Sequence, residues 1–216
     1  MSSRLVSLSR VHFPVRTLGP GERIGVWFQG CSIRCKGCIS LDTWAEKAGD
    51  QSVEQLLEAI SSWVSAADGI TISGGEPFDQ SDALEELLRA LRRYPEKDVL
   101  VFSGYAAERL DLVRFAGLID AIVADPFEVQ QPQTFALRGS DNQRLHLLTS
   151  LGEQRLAGYD RRATDADYAI DLMFSDEQVF MAGIPARGTL AKLEALLAEQ
   201  GHELTTTEDT KSHERS

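Results

Sequence analysis

The segment CSIRCKGC, Cys31 to Cys38, holds every cysteine of a 216-residue chain. Three thiolates spaced C-x3-C-x2-C can ligate metal, and an odd, local set is a poor disulfide framework that fits a reducing compartment. Structural zinc wants four protein ligands, and His12 and His146, which could complete a Cys3His set, lie at no usual finger spacing. Cysteines that serve packing alone belong in strands or helices rather than in a polar loop carrying Arg34, Lys36 and Gly37. A [4Fe-4S] cubane fits better, each thiolate taking one iron and three ligands leaving one iron open. Arg34 and Lys36 would offset the cluster's negative charge, or serve as ordinary solvated loop residues.

A second segment has compatible chemistry. Ser73-Gly74-Gly75-Glu76-Pro77 follows the apolar run Gly69–Ile72 and precedes an amphipathic stretch. Paired glycines let the backbone turn sharply and approach a ligand closely, and Pro77 biases Glu76 toward extended backbone. The loop can offer backbone polar groups and a carboxylate to an ammonium; standing alone, it would read as a plain strand-to-helix turn.

The two segments together, in this order and one helix apart, resemble the radical S-adenosylmethionine (SAM) enzymes. The resemblance implies that Cys31, Cys35 and Cys38 ligate the cluster and serve catalysis, and that Ser73, Gly74, Gly75 and Glu76 hold SAM, whose amine and carboxylate also bind the open iron. It implies electron transfer into the cluster, cleavage of SAM to methionine and a 5′-deoxyadenosyl radical, and hydrogen abstraction from a substrate. FQGCSIRCKGCISLDTW, with its Thr43-Trp44 ending, resembles the cluster segment of small glycyl-radical activating enzymes. VFSGY and LRGSDNQRLH resemble later segments of the anaerobic ribonucleotide reductase activating enzymes, so the likeness covers roughly the first two-thirds of the chain. Two departures bear on partner identity. Ile39-Ser40 replaces the family's common Asn after the third cysteine, and VADPF, Val123 to Phe127, stands where VDGRF is typical.

Other residues are assigned by position. Ser103, Gly104 and Tyr105 line the SAM ribose or adenine, or form a strand-ending turn. Arg138, Asn142 and Gln143 contact SAM, or hydrogen-bond their own loop. Trp27 and Trp44 are expected to pack around the cluster, and His146 to be structural.

These segments need elements to hold them. IGVWF reads as a buried strand leading into the cysteine loop, and SVEQLLEAISSWV as a helix with Val53, Leu56, Leu57, Ile60 and Val64 on one face and a Ser52/Gln55 capping box. GITIS, DVLVFSG and IDAIVA read as further strands. SDALEELLRALRRY reads as a helix with a Leu84, Leu87, Leu88, Leu91 stripe, and AAERLDLVRFA as another helix. The alternation predicts an α/β fold, a partial (β/α) barrel with a mostly parallel sheet whose C-terminal strand ends carry the chemistry. After Pro126 a long loop ends in a short strand, LGEQRLAGYDRRATDAD reads as a polar connector, and YAIDLMF and QVFMAGI form a C-terminal β-hairpin. TLAKLEALLAEQ then gives a helix with Leu190, Leu193, Leu196 and Leu197 facing inward. The expected organisation is a radical SAM core over 1–148, an extension over 149–204 packed on it, and a disordered tail over 205–216.

A net charge of −11 argues against wholesale binding to nucleic acid or anionic membrane. The opening MSSRLVSLSRVHFPV lacks a continuous apolar leader segment and no later window reaches membrane length, so a soluble, cytoplasmic protein is expected. Three functions remain open: a glycyl-radical activase with a large partner enzyme and a flavodoxin- or ferredoxin-like electron donor; a radical SAM maturase of a peptide, protein or small metabolite; and a non-enzymatic iron-sulfur carrier or sensor, which leaves SGGEP unexplained.

Overall fold

The structure, a computed structural model, describes residues 4–49, 51–174 and 179–199. The chain divides into two compact units, Met1–Ile184 and Pro185–Ser216. The first carries β1 (Leu5–Val6), β2 (Leu8–Val15), β3 (Arg23–Phe28), β4 (Gln51–Ser52), α1 (Val53–Val64), β5 (Gly69–Gly74), α2 (Ser81–Leu91), β6 (Asp98–Phe102), β7 (Ala121–Ala124), β8 (Arg144–Leu147), α3 (Ser150–Leu156), β9 (Ile170–Phe174) and β10 (Val179–Gly183).

Six strands form one sheet in the order β2-β3-β5-β6-β7-β8. The pairs β3–β5, β5–β6 and β6–β7 are parallel, and β2 and β8 close the two edges antiparallel. Each parallel strand adds on the same side of its predecessor. The order never reverses as it does in a doubly wound sheet, so the expected partial (β/α) barrel topology holds.

The apolar periods explain the layers. Ser52 caps α1 by accepting from the Gln55 N–H while the Gln55 side chain accepts from the Ser52 N–H, the expected capping box. Val53, Leu56, Ile60 and Val64 of α1 and all four leucines of the α2 stripe are buried against Ile24, Val26, Ile70, Ile72, Val99 and Val101. Each such side chain contributes roughly 1.5–3 kcal/mol by leaving water. Residues of opposite parity, Leu100, Ala121 and Val123, pack on the other face with Leu137 and Leu156.

The N-terminal ends of the parallel strands are stitched by charge. Arg23, Gly69 and Asp98 share one row across β3, β5 and β6, and the buried Arg23 guanidinium donates to Asp98 Oδ1 at 2.6 Å, Thr71 Oγ1 at 2.6 Å and the Ile70 carbonyl at 2.9 Å. A Cβ at Gly69 would lie 2.6 Å from Arg23 Nη1, so the row is closed by the only residue small enough. The opposite, C-terminal ends are left to the loops.

Several expectations change. The stretch expected as a helix over 106–116 is a short 3-10 turn, Ala107–Arg109, followed by hydrogen-bonded turns. The Asp111 carboxylate accepts from its own neighbour's backbone at Arg114, competing with a helical ladder, and Val113 is 87% exposed. The expected polar connector contains α3, capped by Thr149, which accepts from the Gly152 N–H. Strands β1 and β2 come from the N-terminal segment, for which no element was expected.

The expected hairpin is present as antiparallel β9 and β10, paired from Val179↔Phe174 to Gly183↔Ile170; its turn, 175–178, lies outside the described residues. Met173 and Ala182 bury with Val15, Leu18 and Trp27, and Asp171 Oδ2 accepts from the Thr17 N–H and hydroxyl. The second unit carries α4 (Thr189–Glu199), where Leu190 and Leu193 are partly buried but Leu196 is 57% exposed, so the expected inward stripe is only partly realised. The expected tail, 205–216, lies outside the described residues. Among the described residues no helix is long and apolar enough to cross a membrane.

Candidate active site

β3 ends at Phe28 and the chain turns through Gly30, at φ 96°, into the cysteine loop. The loop is held from both sides. The Gly30 N–H donates to the Thr43 carbonyl at 2.8 Å and the Cys31 N–H to the Trp44 carbonyl at 3.4 Å, closing the segment onto its own Thr-Trp ending. All three cysteines are free and partly exposed. Burial pushes the Cys35 and Cys38 thiols up, and Cys35 is raised further by the charges of Cys38 and Cys31, so the three sulfurs lie within one another's field.

Those sulfurs are met by donors. The Ser40 N–H donates to Cys38 Sγ at 3.4 Å, and the Phe127 backbone N–H favours the Cys35 thiolate. A single metal ion would need the side chains to converge on one point, and no group of three or more His, Cys, Asp or Glu among the described residues does so. A cubane asks each thiolate for a different corner, and three neighbouring sulfurs, two of them met by backbone N–H groups, fit such a cluster.

The glycine loop does more than expected. The Gly75 N–H donates to the Phe28 carbonyl and the Glu76 N–H to the Gly30 carbonyl, so the SGGEP segment is bound to the entrance of the cysteine loop. Gly74 has φ 105°, and a Cβ at Gly75 would sit 2.0 Å from the Gly30 carbonyl oxygen. The glycines therefore let two loops touch.

Glu76, 1% exposed, accepts from the Phe78 N–H at 3.1 Å and the Ser103 hydroxyl at 3.0 Å through Oε1, and from the Gly104 N–H at 2.8 Å through Oε2. Burial outweighs these bonds and raises its carboxyl to about 7. A carboxylate has about four acceptor positions, of which three are used. One remains for a donor such as an ammonium.

The strand-ending turn after β6 completes the join. A Cβ at Gly104 would lie 2.8 Å from Ile33 Cδ1, showing how tightly the cysteine loop seats on it. Tyr105 Oη donates to Asp79 Oδ1 at 2.7 Å and lies 2.8 Å from Ser32 Oγ, while Asp79 Oδ2 accepts from the Ser32 N–H at 2.8 Å. A cavity of about 340 Å³ opens here, lined by Ser32, Ile33, Gly104, Tyr105, Ala106, Arg109 and Pro126. Asp79 and Ile33 carry no motif of their own, although Asp79 sits two residues past Pro77, where a turn out of SGGEP must return.

The remaining named residues are brought less directly to the site. Asn142 Nδ2 donates to the Pro126 carbonyl at 2.8 Å and Gln143 Nε2 to the Asp125 carbonyl at 3.2 Å, so both order the VADPF loop. Asp125 takes φ 86° and is clamped by Arg144 at 2.6 Å. That loop matters locally, because a Cβ at Gly37 would meet Val129 at 3.2 Å and Phe127 at 3.6 Å. Arg138 pairs with Asp160 at 2.6 Å and stacks on Phe135. Trp27 packs beneath the hairpin, and Arg10 lies between it and Phe180 while pairing with Asp42. His146 sits on β8 opposite Ile122.

Residues 17–146, which span all of these loops, match the model of the 4Fe-4S single cluster domain. The chain belongs to that family. Among its relatives, the anaerobic ribonucleoside-triphosphate reductase-activating protein of Enterobacteria phage T4 is 30% identical over 132 residues, 59% of this chain and 85% of that protein. The protein of the same name from Haemophilus influenzae is 32% identical over 139 residues, 59% of this chain and 89% of its own. The pyruvate formate-lyase-activating enzyme of Listeria monocytogenes is 38% identical over 88 residues, 37% of this chain and 35% of that enzyme. The family bears out the radical SAM activating-enzyme resemblance, with a [4Fe-4S] cluster and S-adenosylmethionine as cofactors.

Proposed function

We propose that this chain activates a glycyl-radical enzyme, of the anaerobic ribonucleotide reductase type, with Cys31, Cys35 and Cys38 ligating the cluster and Ser73, Gly74, Gly75 and Glu76 holding SAM. The observation that carries this reading is the direct bonding of Glu76 to Ser103 and Gly104 beside the cysteine loop, which joins three segments far apart in the chain at one end of the sheet. Relatives named as reductase-activating proteins support the partner class.

A cluster held by Cys31, Cys35 and Cys38 would supply the electron for reductive cleavage of SAM to methionine and a 5′-deoxyadenosyl radical able to abstract hydrogen. The chain's own residues bind and orient. Glu76, ionised, takes the SAM ammonium at its remaining acceptor position, in a buried setting where that attraction is weakly screened. Ser103 and Gly104 fix the carboxylate's orientation and are positioning residues, and the cavity beside Tyr105 takes part of the nucleoside. Asn142 holds the Pro126 loop through its Nδ2, and its buried Oδ1, without a hydrogen-bond partner among the described residues, is left to accept from SAM. The exposed Arg34 and Lys36 give an otherwise acidic chain a local positive face suited to an acidic flavodoxin- or ferredoxin-like donor.

The test is anaerobic incubation of reconstituted protein, SAM and reductant with the glycyl-radical enzyme encoded beside it. The expected result is a glycyl-radical doublet in electron paramagnetic resonance, formed in step with 5′-deoxyadenosine. Modification of a neighbouring gene product with no such radical would assign the chain to the maturases instead.

A further inference from the structure

Arg10 links the C-terminal hairpin to the cysteine loop. On β2 it faces Trp27 across the strand pair, and its guanidinium lies 5.4 Å from the Trp27 ring and 4.8 Å from the ring of Phe180 on β10. The side chain is 12% exposed, and its buried Nε meets no hydrogen-bond acceptor among the described residues, so the two rings fix that end of the group. The other end donates through Nη1 to the Asp42 carboxylate. Asp42 belongs to the 3-10 turn Leu41–Thr43, which closes the cysteine loop. Ser40, just before this turn, donates its N–H to Cys38 Sγ, and the carbonyls of Thr43 and Trp44 accept from the Gly30 and Cys31 N–H groups. Arg10 and Phe180 both lie outside residues 17–146, the part of the chain that matches the family.

We propose that Arg10 is a positioning residue for the cluster: seated by Phe180, it holds the turn that clasps the cysteine loop and offsets the Asp42 charge there. The proposal rests on ligation by Cys31, Cys35 and Cys38. Phe180 and Asp42 sit on separate elements and act on one guanidinium, so cutting either link frees the same turn. The charges add a second effect, because net charge is among the determinants of cluster potential. Left alone, the carboxylate disfavours the more negative, reduced cluster, whereas the guanidinium alone favours it.

The experiment uses anaerobically reconstituted wild type, Arg10→Gln, Asp42→Ala, Phe180→Leu and the Phe180→Leu, Asp42→Ala double variant. Phe180→Leu keeps an apolar side chain in the hairpin and removes only the ring face. Iron content, the rate of iron release to a chelator, and the midpoint potential followed by electron paramagnetic resonance are measured. Each single variant is expected to release iron roughly twofold to fivefold faster than wild type, and the double variant no faster than the faster of its two parents. Arg10→Gln should become roughly threefold harder to reduce and Asp42→Ala roughly threefold easier, about 28 mV in opposite directions for one electron. A merely structural role would not move the midpoints in opposite directions. Release rates that multiply in the double variant, single variants with wild-type release, or midpoints that shift the same way in both charge variants would each overturn the proposal. A wild type that takes up no four-iron cluster would instead overturn the ligation on which it rests.

Discussion

Replacing Glu76 by Gln should change how stability depends on pH. Folding raises this carboxyl from 4.5 to about 7, chiefly because burial disfavours the charged form. The folded state then binds the proton more tightly than the unfolded chain, so the contribution is full below pH 4.5 and is lost as pH rises through 7. Between pH 5 and pH 8 the loss amounts to about 2 to 3 kcal/mol, at roughly 1.4 kcal/mol per pH unit of difference. His12 opposes it, since burial lowers its pKa and its contribution grows as pH rises toward 6.5. The readout is therefore the difference between the two proteins. Glu76→Gln should pay a pH-independent penalty of about 1–3 kcal/mol, because an amide N–H replaces an acceptor facing the Phe78, Ser103 or Gly104 donors. Its stability relative to wild type should improve by about 2 to 3 kcal/mol from pH 5 to pH 8, measured by denaturant unfolding under anaerobic conditions. A constant gap between the two proteins across that range would refute the reasoning.

Two further substitutions probe the frame. Gly75→Ala places a methyl 2.0 Å from the Gly30 carbonyl oxygen and should lower stability by about 1–3 kcal/mol while reducing the iron retained after reconstitution; unchanged denaturant midpoint and iron content would contradict the close loop contact. Asp98→Ala strips the fully buried Arg23 of its partner and should cost about 3–5 kcal/mol, read as a fall in the denaturant midpoint; a loss below 1 kcal/mol would show the pair to be dispensable.

The parallel frame was legible because its signals are long and regular. The α2 leucine stripe and the strands from Arg23, Gly69 and Asp98 each bury a continuous apolar face. Where the signal is short, tertiary contacts decide. α3 buries only Gly152 and Leu156, too few for a period, and it exists because Thr149 caps it and Gly152 fits against the Asp120 carbonyl, where a Cβ would lie 2.0 Å away. The 106–116 stretch has helical composition but loses to local turns through Asp111 and to Arg114 reaching Glu85 at 2.6 Å. At the site, the cysteines and SGGEP were readable from residue type and spacing. That Glu76 leans on Ser103 was not, because 27 residues separate them and only the pairing of β5 with β6 brings their loops together.

The central claim is that CSIRCKGC and SGGEP form one SAM-cleaving site. The most direct measurement is 5′-deoxyadenosine formed by the anaerobically reconstituted protein with SAM and a strong reductant, for wild type and for Cys31→Ala, Cys35→Ala and Cys38→Ala in turn. Wild type should carry a [4Fe-4S] cluster and release 5′-deoxyadenosine, and each single variant should release none. Turnover that survives the loss of any one cysteine, or a reduced wild-type cluster that never cleaves SAM, would contradict it.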